Sequence, residues 1–162
     1  MAREALIIAD AGPIIALAAI GRLELLRDVA GEVRVPRAVY DEVVAGAPRP
    51  GATEITAASW VRVVDADRGL AEAFQLVVDR GEAEALALAK VTDGALLVVD
   101  DQRARRVAAQ LHLRITGTLG ILDLAKRAQL IPAVAPELAK LIAVGFRLDE
   151  VIRQAFLRRI SE

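Results

Sequence analysis

Acidic side chains stand where a parallel α/β sheet builds its sites. Asp10 follows the apolar run Leu6-Ile7-Ile8-Ala9, and Asp100-Asp101 follows Leu96-Leu97-Val98-Val99. Glu82 and Glu84 open the helical stretch before that second run, and Asp41 and Glu42 sit in the helical stretch after Val33-Arg34-Val35. Ligands of open α/β sheets bind beyond the carboxyl ends of the strands, so these positions face the right region. Carboxylates are the natural ligands of hard divalent cations. Such ions neutralise charge on a phosphodiester and activate the water that attacks it in line.

Each of these residues also has an ordinary structural use. An Asp at a strand-to-helix junction is most often a helix cap, and Asp100 is well placed to cap a helix beginning near Gln102. Glu82 and Glu84 fall in a first helical turn, where carboxylates favour the positive end of the macrodipole. Helical geometry separates these two. At about 100° per residue from Glu82, Glu84 lies at about 200°, between Leu88 and Val91 on the large apolar stripe. An inward carboxylate needs a partner, and a metal ion is one answer. Glu82 points nearer Lys90, as an ordinary surface residue does. For Asp41 and Glu42 periodicity does not choose, because both lie equally far from the direction of Val39, Tyr40, Val43 and Val44.

Composition removes several other chemistries. The chain has 162 residues, no cysteine and one histidine, His112. That excludes a disulfide scaffold, a thiolate zinc site and a cysteine nucleophile, and leaves no multi-histidine metal site. Its 21 basic and 22 acidic residues give a net charge of −1, so nucleic acid must be held by a local patch or a bound metal. Arg103, Arg105 and Arg106, just after the fourth apolar run, are the candidates for such a patch, a solvated helix face being the alternative. There is no phosphate-cradling loop with its lysine, no three-glycine dinucleotide fingerprint and no G-x-S-x-G elbow.

The elements that must position these residues are those of a βα-repeating fold. Strands are expected at Leu6–Ala9, Val33–Val35, Trp60–Val64, Leu96–Val99 and Leu113–Thr116, short and lacking polar alternation, as in a sheet covered on both faces. Helical patterns fill the gaps, and three more follow at Thr118–Gln129, Pro136–Val144 and Asp149–Ile160. The apolar stretch Ala5–Ile20 contains Asp10 and Pro13, and reads as strand then helix rather than leader or membrane span, implying a cytoplasmic protein. The length suits a single domain over residues 1–162, with a core to about residue 130 and a helical extension over about 131–162. With hydrophobic residues at 55% and aromatics at 3%, the core must be built from Ala, Val, Leu and Ile. That aliphatic excess, with Val151, Ile152, Ala155, Phe156 and Ile160 striped along the last helix, leads us to expect a homodimer.

Four segments in this order resemble the PIN domain family: Ile8-Ala9-Asp10-Ala11-Gly12-Pro13, Gly81-Glu82-Ala83-Glu84, Asp100-Asp101-Gln102-Arg103-Ala104-Arg105-Arg106 and Thr116-Gly117-Thr118-Leu119-Gly120. With Glu42 in Val39-Tyr40-Asp41-Glu42-Val43, the likeness runs from about Leu6 to Ile121, and is narrowest to a prokaryotic PIN-like group related to VapC-type toxins. The resemblance implies a three-layer α/β/α fold with a parallel five-stranded sheet in the order 3-2-1-4-5. It implies a Mg2+- or Mn2+-dependent ribonuclease whose carboxylates are Asp10, Glu42, Glu84 and Asp101, with Asp100 as a further metal candidate. Asp101 is preferred because Val99-Asp100-Asp101 aligns with a Thr-x-Asp pattern. It also implies a toxin paired with a small antitoxin protein. Two positions depart from the family: Val99 stands where many members carry Thr, and Ala11-Gly12 where many carry a hydroxyl residue. A silent PIN-like module that binds RNA or a protein is therefore the alternative. A phosphotransfer receiver is a third reading, set back by the lack of a lysine at the end of the fifth strand.

Overall fold

The computed structural model describes residues 6–162. Ala5, the first residue of the N-terminal apolar run, lies outside them. All five expected strands form, each within a residue of its expected ends: β1 (Ile7–Ala9), β2 (Val33–Pro36), β3 (Val61–Val64), β4 (Leu96–Val98) and β5 (Arg114–Thr116). They pair in parallel in the order β3-β2-β1-β4-β5. Helices α1 (Ala11–Ala19), α2 (Leu25–Val29), α3 (Arg37–Ala45), α4 (Ala52–Ala57), α5 (Arg68–Phe74), α6 (Arg80–Lys90), α7 (Gln102–Gln110) and α8 (Thr118–Arg127) connect or follow the strands, and α9 (Ala135–Ala143) and α10 (Glu150–Arg159) complete the chain.

Successive strand residues point to opposite faces, and here both faces are covered. Ile7, Ala9, Leu96 and Val98 join one buried cluster with residues of α1, α2, α8 and α9. Ile8, Leu97 and Val99 join a second with Ala83 and Leu86 of α6 and Ala104 and Ala108 of α7. The result is three layers, α/β/α. The central runs of β1 and β4 carry no polar alternation because neither of their faces meets water, whereas Arg62 of the edge strand β3 and Arg114 of the edge strand β5 are exposed.

Strand order reverses between β1 and β4, which is the topological switch point where such sheets open a crevice. Ile7, Ile8 and Ala9 sit in register with Leu96, Leu97 and Val98. The next amide, that of Asp10, donates to the Val98 carbonyl at 3.0 Å. Asp10 and the Asp100-Asp101 pair therefore leave the sheet side by side.

The C-terminal helices pack on the first of these clusters: Leu138 and Leu141 of α9 and Phe156 of α10 are buried with β1. Arg22 clamps the first turn of α9 through both oxygens of the buried Glu137, at 3.1 and 2.7 Å. The stripe expected on the last helix is only partly buried. Phe156, Leu157 and Ile160 face the core, whereas Val151 and Ile152 are exposed. Among the described residues, no helix is long and apolar enough to cross a membrane.

Candidate active site

Asp10 occupies the N-cap position of α1, yet its side chain makes no capping bond to that helix. It is only 6% exposed. Burial pushes its carboxyl up to about 7; the Ala11 amide opposes the shift, and the negative charges of Glu82, Asp79 and Glu42 add to it. A capping role does not account for this residue. It is a buried acid facing other acids.

Glu82 and Asp79 come to it from the start of α6. They form a capping box: the Asp79 carboxylate accepts from the Glu82 amide at 2.9 Å, and the Glu82 carboxylate accepts from the Asp79 amide at 3.2 Å. Such a box satisfies two otherwise orphaned helix donors and fixes both side chains beside the helix start. Burial, then the charges of Asp79 and Asp101, hold the Glu82 carboxyl up at about 7. Its helix start is thus an electrostatic member of the same group as Asp10.

Glu42 arrives from α3. The contact that brings it in is a close approach of two helices at Gly81: a Cβ there would lie 3.3 Å from Glu42 Oε2, 3.4 Å from Val39 Cγ2 and 3.8 Å from Asp79 Oδ1. Glycine leaves room for the carboxylate. Partial desolvation raises the Glu42 carboxyl, Asp79 raises it further, and Arg49 opposes the shift. Of Asp41 and Glu42, it is Glu42 that reaches Gly81.

The two aspartates after β4 divide their duties. Asp101 caps α7 with one oxygen, Oδ2 accepting from the Ala104 amide at 2.9 Å. Asp100 spends both oxygens on Thr118: Oδ1 accepts from its amide at 2.8 Å and Oδ2 from its hydroxyl at 2.6 Å. That clamp fastens the end of β4 to the start of α8. It passes beside Gly117, where a Cβ would come within 2.5 Å of Asp100 Oδ1.

Glu84 is inward-facing, as its helical angle requires, with a side chain 14% exposed. It does not turn to Asp10. Its Oε1 accepts from the Ala38 amide in the first turn of α3 at 3.0 Å, and its Oε2 lies 3.5 Å from Arg80 Nε. The structure thus brings Asp10, Glu42 and Asp101 of the expected residues together, adds Glu82 and Asp79, and places Glu84 and Asp100 as ties between elements. Asp79 escaped the sequence reading altogether, although its spacing to Glu82 is that of a capping box.

The arginines divide in the same way. Arg105 is half-buried and donates from Nη1 to the Val99 carbonyl at 2.9 Å, within the Asp100–Thr118 clamp. Arg103 and Arg106 are exposed, and line an open groove of about 540 Å³ with Asp79, Glu82 and Asp101. His112 is exposed in the left-handed region at φ 57°, in the turn before β5. Trp60 packs against the core cluster, with Arg27 over its ring.

Among the described residues no three carboxylates are gathered tightly enough, as the side chains stand, to hold an ion. The donor set nevertheless suits one. It consists only of hard oxygen donors, its charges mutually disfavour ionisation, and a divalent cation is the partner that relieves such a group.

These features define a class: a three-layer parallel α/β protein with an all-carboxylate site at its switch point. The chain belongs to the PIN domain family, whose model designated DUF3368 matches residues 6–162. PIN domains are generally nucleases, and nuclease is the activity class that this membership supports. No curated protein matches the chain.

Proposed function

We propose that this protein is a divalent-metal-dependent endoribonuclease. The observation that carries the reading is Asp10, buried and uncapped at the switch point, with its carboxyl held up at about 7 beside Glu82, Asp79 and Glu42. Asp10, Glu42, Glu82 and Asp101 are the residues that would hold Mg2+ or Mn2+. When bound, the ion supplies charge neutralisation on the phosphate and leaving oxygen and a more acidic water. The chain's own contributions are distinct from this. The capping box of α6 holds Glu82 and Asp79 in place, and the free Oδ1 of Asp101 stays available beside its capping Oδ2. Arg103 and Arg106 offer cations for the RNA backbone at the rim. Near neutrality Asp10 and Glu82 share their charge with protons, and cation binding favours the ionised state, whereas the phosphates of an approaching RNA oppose it unless the cation is present.

The same reading makes the protein the toxin of a toxin–antitoxin pair. Its partner would be a small antitoxin protein, and its setting the cytoplasm. The exposed Val151 and Ile152 on α10 support a homodimer. The test is cleavage of mixed cellular RNA with Mg2+ or Mn2+, compared with EDTA and with Asp10→Asn. Metal-dependent cleavage that Asp10→Asn abolishes supports the reading. RNA binding with no cleavage under any metal overturns it in favour of a silent binding module.

A further inference from the structure

At the carboxyl end of β4 the hydrogen-bond ladder to β5 exchanges one of its partners. Val98 is in register with Thr116, so the next residue, Val99, stands opposite Gly117. In a parallel ladder a residue donates to the residue before its partner and accepts from the one after it. Val99 does donate to the Thr116 carbonyl, at 2.9 Å. The amide due to return to the Val99 carbonyl is that of Thr118, but it donates to Asp100 Oδ1 instead, at 2.8 Å. Val99 is buried, and a buried carbonyl without a donor is costly. Arg105 fills the gap, donating from Nη1 at 2.9 Å.

Arg105 also holds the far side of the same turn, because its own amide donates to the Asp101 carbonyl at 2.9 Å. One residue of α7 therefore grips the chain at both Val99 and Asp101. Gly117 leaves room for the guanidinium: a Cβ there would lie 3.1 Å from Arg105 Nη1 and 3.5 Å from the Val99 carbonyl oxygen.

We infer that Arg105 is a positioning residue for the metal site: by taking over the Val99 carbonyl it fixes the turn that aims the free oxygen of Asp101 into the groove. The inference rests on the metal-dependent reading above. Asp100 and Arg105 are the two halves of one exchange of partners, yet their removal has different consequences. Without Asp100 the Thr118 amide is free to return to Val99, and the turn keeps its bond. Without Arg105, while Thr118 stays on Asp100, the Val99 carbonyl is left bare and the turn loosens. Charge alone acts with the opposite sign. A guanidinium near an acidic site disfavours a metal cation, so its removal would tighten Mn2+ binding, whereas lost positioning weakens it.

Mn2+ titration calorimetry well below the melting transition tests this. Arg105→Met keeps the apolar stem and should weaken binding about 10- to 100-fold, and Arg105→Lys, which keeps a donor at similar reach, should recover most of the loss. Arg105→Gln, whose amide ends short of the carbonyl, carries the same expectation as Arg105→Met and replaces it should that variant not fold. In an Asp100→Ala background the same substitution should cost much less, because Thr118 can serve Val99. Mn2+ affinity that holds or rises in Arg105→Met and Arg105→Gln overturns the inference. So does a lowered melting temperature with unchanged affinity, which would make Arg105 a structural tie alone. An undiminished loss in the Asp100→Ala background also overturns it, since the exchange of partners would then have no bearing on the site. A parent that binds no Mn2+ overturns the metal reading and this inference with it, whereas a parent that binds Mn2+ regardless of Arg105 removes only the brace.

Discussion

Glu84 and Glu82 lie two residues apart on α6, and the structure gives them opposite duties. Replacing each by Gln separates them. Glu84 accepts from the Ala38 amide at 3.0 Å, and Ala38 is itself buried. Removing the acceptor with Glu84→Ala leaves that donor unsatisfied, at a cost of about 1–3 kcal/mol. The Arg80 contact at 3.5 Å adds little, because Arg80 is largely exposed. In a chain of this length about 2 kcal/mol corresponds to a fall of roughly 4–8 °C in Tm. Glu84→Gln keeps an oxygen facing Ala38 and loses only the charge, so roughly half that cost is expected.

The effect on function should follow the same order. Glu84 fixes the first turn of the helix that carries Glu42, and the loss of a supporting partner costs about 10- to 100-fold in metal affinity or activity. Glu84→Ala should show that loss in Mn2+ titration calorimetry, and Glu84→Gln should recover most of it. Glu82→Gln should lose Mn2+ binding outright. Its stability should move the other way. The folded carboxyl at about 7 lies above its ordinary 4.5, so its relative stabilisation is full below pH 4.5 and is lost as pH rises through 7. In chelator at pH 8, Glu82→Gln should therefore melt above the parent and Glu84→Gln below it. If Glu84→Gln abolishes Mn2+ binding while its Tm holds, Glu84 is a ligand and the positioning argument fails.

Asp10 carries the same sign more strongly: its folded carboxyl stands at about 7 against 3.8, so stability is fullest below pH 3.8 and is lost as pH rises through 7. In EDTA, Asp10→Asn should melt above the parent at pH 8 with the gap closing toward pH 5, and Mn2+ should stabilise the parent more; a lower Tm for the variant at pH 8 would show that Asp10 holds a structural bond. Asp100→Ala should cost about 1–2 kcal/mol, seen as a lower Tm from loss of the Thr118 cap, while Mn2+ affinity stays within a few-fold; loss of Mn2+ binding without a change in Tm would make Asp100 a ligand. Gly81→Ala places a Cβ 3.3 Å from Glu42 Oε2 and should weaken Mn2+ binding, because that oxygen must shift; unchanged affinity would show that the close approach at Gly81 does not set the position of the carboxylate.

The fold was legible because it rests on features local to the chain. Five short apolar runs, each followed by a helical pattern, suffice to indicate a parallel sheet, while the order of its strands came only with the family resemblance. The site was legible where a residue ends a strand, as Asp10 and Asp101 do, since strand ends converge by topology. It was less legible on α6. The helical angle placed Glu84 inward, which is its observed position, but periodicity reports burial and not the identity of the neighbour. The neighbour is the start of α3, forty-six residues away in sequence, whose amide satisfies the carboxylate. Glu82 looked like a surface residue because its angle departs from the apolar stripe. At a helix start, however, that direction faces the crevice rather than bulk solvent. The same limit applies to α10, where Val151 and Ile152 fit the stripe on paper but lie beyond the core that Phe156 reaches.

Cap and ligand are often treated as rival explanations of an acidic residue, and here the oxygen count resolves the rivalry. A carboxylate has two oxygens, and a helix cap needs one. Asp101 caps α7 through Oδ2 and Asp79 caps α6 through Oδ1, so each keeps an oxygen for the groove that both line. The capping bond then orients the remaining oxygen and reduces the entropy that metal binding would otherwise have to overcome. Asp100 gives both oxygens to Thr118 and has none left, so it can only hold β4 against α8. Asp10 gives neither to a cap, and it is the most deeply buried of the group. Ordered by unspent oxygens, the carboxylates run Asp10, then Asp79 and Asp101, then Asp100. That order should also be the order in which charge-removing Asn substitutions weaken Mn2+ binding, and a titration series in which Asp100→Asn proves as damaging as Asp10→Asn would show that the caps do not constrain the site.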